Sequence, residues 1–174
     1  MKRYISIFLL NLICFVLQST IFQRLQIAGI TPNLTIIITA AAGLMYGRTA
    51  GMFSGVIGGL FMDTMFSEII GIDILIYTFI GYTNGMATKL YFKEDFLIPV
   101  LSIAASDFAY GILYYICRFL LRGRLDFPFY LGNIIITEML YTVILGVIIY
   151  RFMVWLEEKI NPEQKIPLRE RENK

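Results

Sequence analysis

Long apolar blocks alternate with short polar breaks along the whole chain, and each block has the length of a helix rather than of a strand. The first uncharged run follows Lys2 and Arg3 and covers residues 4–23. A stretch of about 20 residues crosses a hydrocarbon core, whereas the apolar part of a cleaved leader has roughly 7–15. No small-x-small cleavage pattern follows, so this block reads as a retained first helix. Thr31-Pro32-Asn33 reads as the next helix start, with Thr31 as the cap and Pro32 at the first helical position, where its missing N–H costs nothing. Gly47-Arg48 then breaks the second block from the third. The pattern predicts an all-α integral membrane protein with six transmembrane helices over 4–22, 32–46, 49–66, 73–90, 96–119 and 134–156. These form one domain, 1–156, followed by a charged tail, 157–174. The second helix is short enough to be either a short span or half of a re-entrant hairpin.

Composition agrees with the membrane reading: 57% of residues are hydrophobic, 16% are charged, and the mean hydropathy is +0.69. Charge placement then orients the chain. With the N-terminus inside, eleven lysines and arginines fall on the cytoplasmic side and four outside, which places both termini in the cytoplasm. Arg122 and Arg124, in the outer loop between the fifth and sixth helices, are exceptions that suggest a contact with lipid headgroups or a partner. The tail carries five acids and five bases and reads as a solvated end, not as an anchor for anionic lipid.

The absence of histidine excludes His-based acid/base relays, Ser-His or Cys-His pairs and His-ligated metal sites. Cys14 and Cys117 sit inside apolar runs and read as small buried hydrophobes. A net charge of +2 gives no footprint for nucleic acid. No phosphate loop, metal set or nucleophile–base pair is present, so neither a catalytic site nor a cofactor is expected.

The informative positions are the polar and small ones inside apolar blocks. Gly43, Gly47, Gly51, Gly55 and Gly59 recur every fourth residue, Gly58 widens the stripe, and Asp63 continues its spacing. Such a face lets another backbone approach closely, either within the molecule or on a partner. Asp107 lies near the middle of the fifth helix, where one aspartate costs about 2.5–3.5 kcal/mol. At 100° per residue Asp107, Gly111, Tyr114 and Arg118 fall within about 40° of one another. Glu138, Tyr141 and Thr142 give the sixth helix a similar polar start. These faces allow a hydrogen-bonded packing network, a partner groove, or a path for a small molecule or ion.

The run Pro32-Asn33-Leu34, then Gly47-x3-Gly51-x3-Gly55-x2-Gly58-Gly59-Leu60-x2-Asp63, followed by Gly71, Tyr77, Gly81-Tyr82 and Gly85, resembles the rod shape-determining protein MreD family. That resemblance implies a six-helix fold similar to the substrate-binding subunits of energy-coupling-factor vitamin transporters. It also implies a bacterial inner-membrane role in cell elongation and peptidoglycan synthesis. The implied partners are a single-span MreC-like protein, an MreB-like filament, and a peptidoglycan glycosyltransferase and transpeptidase. It supplies no catalytic residue. The expected function is therefore a non-enzymatic scaffold that binds the MreC-like protein and helps position wall-synthesis enzymes. The rival is a solute-binding subunit of a transporter for a vitamin-like molecule.

Overall fold

The computed structural model describes residues 2–26, 29–67, 70–90, 97–118 and 130–160. Six helices account for most of them. α1 is Lys2–Leu17, extended without a break by a π-helical turn over Gln18–Phe22. α2 is Leu34–Tyr46, α3 is Arg48–Phe66, and α4 is Ile72–Met86 with a 3-10 turn at Ala87–Leu90. α5 is Leu97–Arg118, and α6 is Ile136–Ile160, entered through a π-helical turn at Leu131–Ile135.

α2 is the organising element. Every residue from Leu34 to Leu44 is buried, the mark of a helix enclosed on all sides rather than one lying on a surface. It packs against each of the other five helices. Its apolar side chains, among them Leu34, Ile37, Ile38 and Leu44, join Leu10, Ile103, Tyr150 and Met153 in the main core. At 13 residues it is about 20 Å long, shorter than a hydrocarbon core. A helix sheathed by protein does not have to match the bilayer itself.

Among the described residues, three helical stretches, Arg3–Phe22, Leu97–Cys117 and Leu131–Lys159, are long and apolar enough to cross a membrane. Six spans were expected. α2 is too short, and the glycines and polar residues of α3 and α4 dilute their apolar character.

Two boundaries differ from the sequence-based reading. The cap of α2 is Asn33, not Thr31: the Asn33 side chain accepts from the Ile36 N–H at 3.2 Å, and the helix begins at Leu34. Pro32 therefore precedes the cap and does not occupy the first turn. At the other end of the chain, α6 runs on to Ile160, past the expected stop at 156. Glu157 is buried there, and the Lys159 ammonium lies 4.5 Å above the Trp155 ring, a spacing of four residues that the continued helix provides.

Gly47 joins α2 to α3 with φ +93° and ψ −178°, a conformation essentially restricted to glycine. The chain reverses there into an antiparallel hairpin in which Thr39 meets Ser54 at 3.5 Å. α4 then packs antiparallel on α3, the most intimate helix pair of the fold.

Candidate functional site

The glycine ladder is where α3 meets α4. A Cβ added at Gly55 would lie 2.6 Å from the Tyr77 carbonyl carbon and 2.7 Å from the Thr78 Cα. At Gly59 it would lie 2.8 Å from the Ile74 nitrogen, and at Gly51 2.7 Å from the Gly81 carbonyl carbon. No side chain larger than hydrogen fits at such distances. Gly58 points elsewhere, toward the Asn11 side chain of α1 and Thr35 of α2. The structure thus places α4 against the face made by Gly51, Gly55 and Gly59, and α1 and α2 against Gly58.

Asp63 ends this seam. Its buried carboxylate accepts from the N–H groups of Gly71 at 2.8 Å, Ile74 at 3.1 Å and Asp73 at 3.2 Å. These are the donors that the first turn of α4 cannot satisfy itself, and a negative charge there also meets the positive end of the helix. Gly71, at φ +114°, makes the turn into that helix.

A second polar centre surrounds the buried N-terminus of α2, and it draws on three other helices. Gln18 of α1 is buried, and its Oε1 accepts from the Leu34 N–H at 3.0 Å and the Thr35 N–H at 3.4 Å. Asn33 Oδ1 accepts from the Ile36 N–H and also from the Tyr77 hydroxyl at 2.8 Å. The Asn33 N–H donates to the Thr142 hydroxyl of α6 at 3.0 Å. Side chains thus satisfy the open end of a helix far from water, where an unpaired N–H would be costly.

Aromatic residues connect the two centres. The Tyr77 and Tyr110 rings lie 4.9 Å apart, and the Tyr110 hydroxyl donates to Asp73 at 3.0 Å. Asp73 also accepts from the Ser67 hydroxyl at 2.7 Å. The collar therefore runs from Asp63 and Asp73 through Tyr110 and Tyr77 to Asn33 and Thr142.

Of the expected polar face, Asp107 is buried on α5, Glu138 is half-buried at the start of α6, and the Tyr114 ring lies 5.5 Å from the Tyr110 ring. Arg118 closes α5, but its side chain, like Arg122 and Arg124, lies outside the described residues. The residues missed as site members are Asn33 and Gln18, together with Tyr77 as their link to α4. In the sequence Asn33 shows only as part of the helix start Thr31-Pro32-Asn33 and of the run Pro32-Asn33-Leu34.

A crevice of about 230 Å³ opens between α4 and α5, lined by Thr83, Asn84, Ser102, Ala105, Ser106 and Ala109. Its polar groups are internally paired: Asn84 bonds to Ser102 and Ser106. Among the described residues, no group of three or more Cys, Asp or Glu side chains is placed to hold a metal ion. The collar binds helix ends to one another.

Long apolar helices arranged around a short, polar-collared central helix define a multi-helix integral membrane protein. Residues 1–156 match the family described as rod shape-determining protein MreD. The chain belongs to that family, whose role is in determining rod shape. No curated protein and no solved structure matches the chain, so the expected likeness to vitamin-transporter subunits has no support.

Proposed function

We propose that the chain is a non-enzymatic scaffold of the cell-elongation machinery in the bacterial cytoplasmic membrane. In this reading its six helices are all embedded, both termini are cytoplasmic, and a lipid-facing surface holds the transmembrane segment of an MreC-like single-span protein. Through that protein it helps position the MreB-like filament and the peptidoglycan glycosyltransferase and transpeptidase. Family membership over residues 1–156 carries the reading. The interior chemistry agrees with it, because the polar groups of the collar are engaged in holding helix ends. A rigid body of this kind presents fixed outer faces, which suits positioning more than turnover.

Photo-crosslinking in living cells tests this without disturbing the core. A crosslinking residue is placed in turn at the exposed positions Ile13, Phe79, Leu101 and Ile148, which lie on α1, α4, α5 and α6. A crosslink to the single-span protein, concentrated on one face, is the expected result. If no position yields it while expression is normal, the scaffold reading fails. A vitamin-like solute retained through purification, with uptake that requires Asp107 and Glu138, would make the chain a transporter subunit instead.

A further inference from the structure

The outer side of the α3–α4 pair carries two apolar stripes that run side by side and finish on cations. On α3, Arg48, Met52, Val56 and Leu60 recur every fourth residue, and all four are exposed. On α4, Leu75, Phe79, Tyr82 and Met86 are exposed at helical spacing, and Lys89, also exposed, follows in the terminal turn. The stripes share one side of the pair, because the Arg48 guanidinium of α3 lies over the Tyr82 ring of α4, 5.6 Å from its centroid. At 100° per residue Ser54 and Gly58, which meet α2, fall opposite Val56. The glycine seam beneath brings the two helices close, so the stripes wall a shallow groove along it.

Both cations stand at the same end of this groove. Gly85 packs on the Arg48 backbone, and Lys89 follows one turn later. That turn is held in place, since the Thr88 hydroxyl meets the Gly85 carbonyl at 2.8 Å and the Gly43 carbonyl of α2 at 3.1 Å. The acids of the two helices, Asp63 and Asp73, lie at the opposite end, and among the described residues neither Arg48 nor Lys89 is paired with an acid. A guanidinium resting on a ring keeps its N–H edge free, and that edge matches the oxygens of a phosphate. From Arg48 to Leu60 the stripe is about 18 Å long, against about 15 Å for half of a hydrocarbon core. The groove is therefore one leaflet deep, with its positive charge at headgroup level.

We propose that the α3–α4 groove holds one anionic phospholipid of the cytoplasmic leaflet, with its phosphate between Arg48 and Lys89 and an acyl chain along Met52, Val56 and Leu60. A zwitterionic headgroup would bring a third cation to the two already there, whereas an anionic one brings only the charge they lack. The site rests on α3 and α4 being embedded with Arg48 and Lys89 on the cytoplasmic side, as proposed above. It is independent of which protein the scaffold holds.

Fluorescence quenching in lipid nanodiscs reads the occupant directly. The chain has one tryptophan, Trp155 on α6. In a Trp155→Phe background, Val56→Trp places a reporter in the groove and Leu101→Trp places one on the exposed face of α5. The discs are phosphatidylcholine with a small fraction of phosphatidylglycerol brominated on its acyl chains. Quenching at Val56→Trp should exceed that at Leu101→Trp severalfold, and bromine carried on phosphatidylcholine should quench both alike. Arg48→Gln and Lys89→Gln should each weaken the selective binding about fivefold, and together about thirtyfold, with the Leu101→Trp signal unchanged. Lys159→Gln on α6 is the charge control and should change nothing. Equal quenching of the two reporters by brominated phosphatidylglycerol overturns the proposal, as does an excess at Val56→Trp that survives loss of both cations. Absence of quenching at Val56→Trp by either brominated lipid refutes the embedding of α3 together with the site. A photo-crosslinker at Val56 that captures a protein segment in living cells, in place of lipid, gives the groove to a partner helix and refutes the lipid.

Discussion

Replacing Gly55 by alanine adds one methyl group at a point where the backbones of α3 and α4 touch. The added carbon would lie 2.6 Å from the Tyr77 carbonyl carbon, whereas carbon atoms rest at about 3.5–4.0 Å. The two helices must therefore part by roughly 1 Å. Parting them at Gly55 also loosens the approaches at Gly51 and Gly59, which lie on the same seam. Overpacking of this kind costs about 1–3 kcal/mol, and the better helix propensity of alanine returns about 0.5–1 kcal/mol. The net loss of about 1–2 kcal/mol corresponds to a fall of about 2–8 °C in unfolding temperature for a chain of this size. Thermal unfolding can be followed by a thiol-reactive dye at Cys14, which is buried, in a Cys117→Ser background. Gly132→Ala is the control, because a Cβ at Gly132 meets nothing within 4 Å. Equal or higher stability of Gly55→Ala relative to its parent would refute the account of the ladder as an intramolecular seam.

The same assay separates other parts of the structure. Asp63→Leu strands the N–H groups of Gly71, Asp73 and Ile74, each at about 1–3 kcal/mol when buried, so it should melt below Gly55→Ala. Asp63→Asn, which keeps one acceptor oxygen, should recover part of the loss. Asn33→Ala should cost about 1–2 kcal/mol or more while Thr31→Ala costs little; the reverse order would restore Thr31 as the cap. Tyr77→Phe removes one hydroxyl from an Asn33 oxygen that still accepts from Ile36, so a loss of only about 0.5–1.5 kcal/mol is expected.

The periodic features were legible in the sequence because periodicity is local. Glycines four apart define a smooth face whatever lies opposite, and apolar runs of sufficient length announce helices. What packs on the face is not local: the spacing of Gly51, Gly55 and Gly59 carries no mark that distinguishes α4 from a foreign helix. The cap of α2 illustrates the same limit. Thr31 and Asn33 both have suitable side chains, and Pro32 seemed to favour the former by its position. Asn33 is selected by Tyr77 and Thr142, which lie 44 and 109 residues away in the chain. Asp107 and Glu138 each stand out as costly in an apolar block, yet what each of them faces depends on the antiparallel register of α5 and α6, which neither helix specifies alone.

The enclosure of α2 has a consequence for how the protein is made. Its first turn is complete only when Gln18, already synthesised, is joined by Tyr77 and finally by Thr142. A nascent chain that has emerged only as far as α5 therefore contains a central helix whose N-terminal donor at Asn33 is still waiting for its acceptor. Such a helix is short and polar-tipped, and it gains little from the lipid by itself. Insertion of α6 is thus the step that closes the bundle, and chains truncated before it should be recognised and removed by membrane quality control instead of accumulating. The most buried helix of this chain would then act as a checkpoint on synthesis, passing only copies in which α6 has arrived.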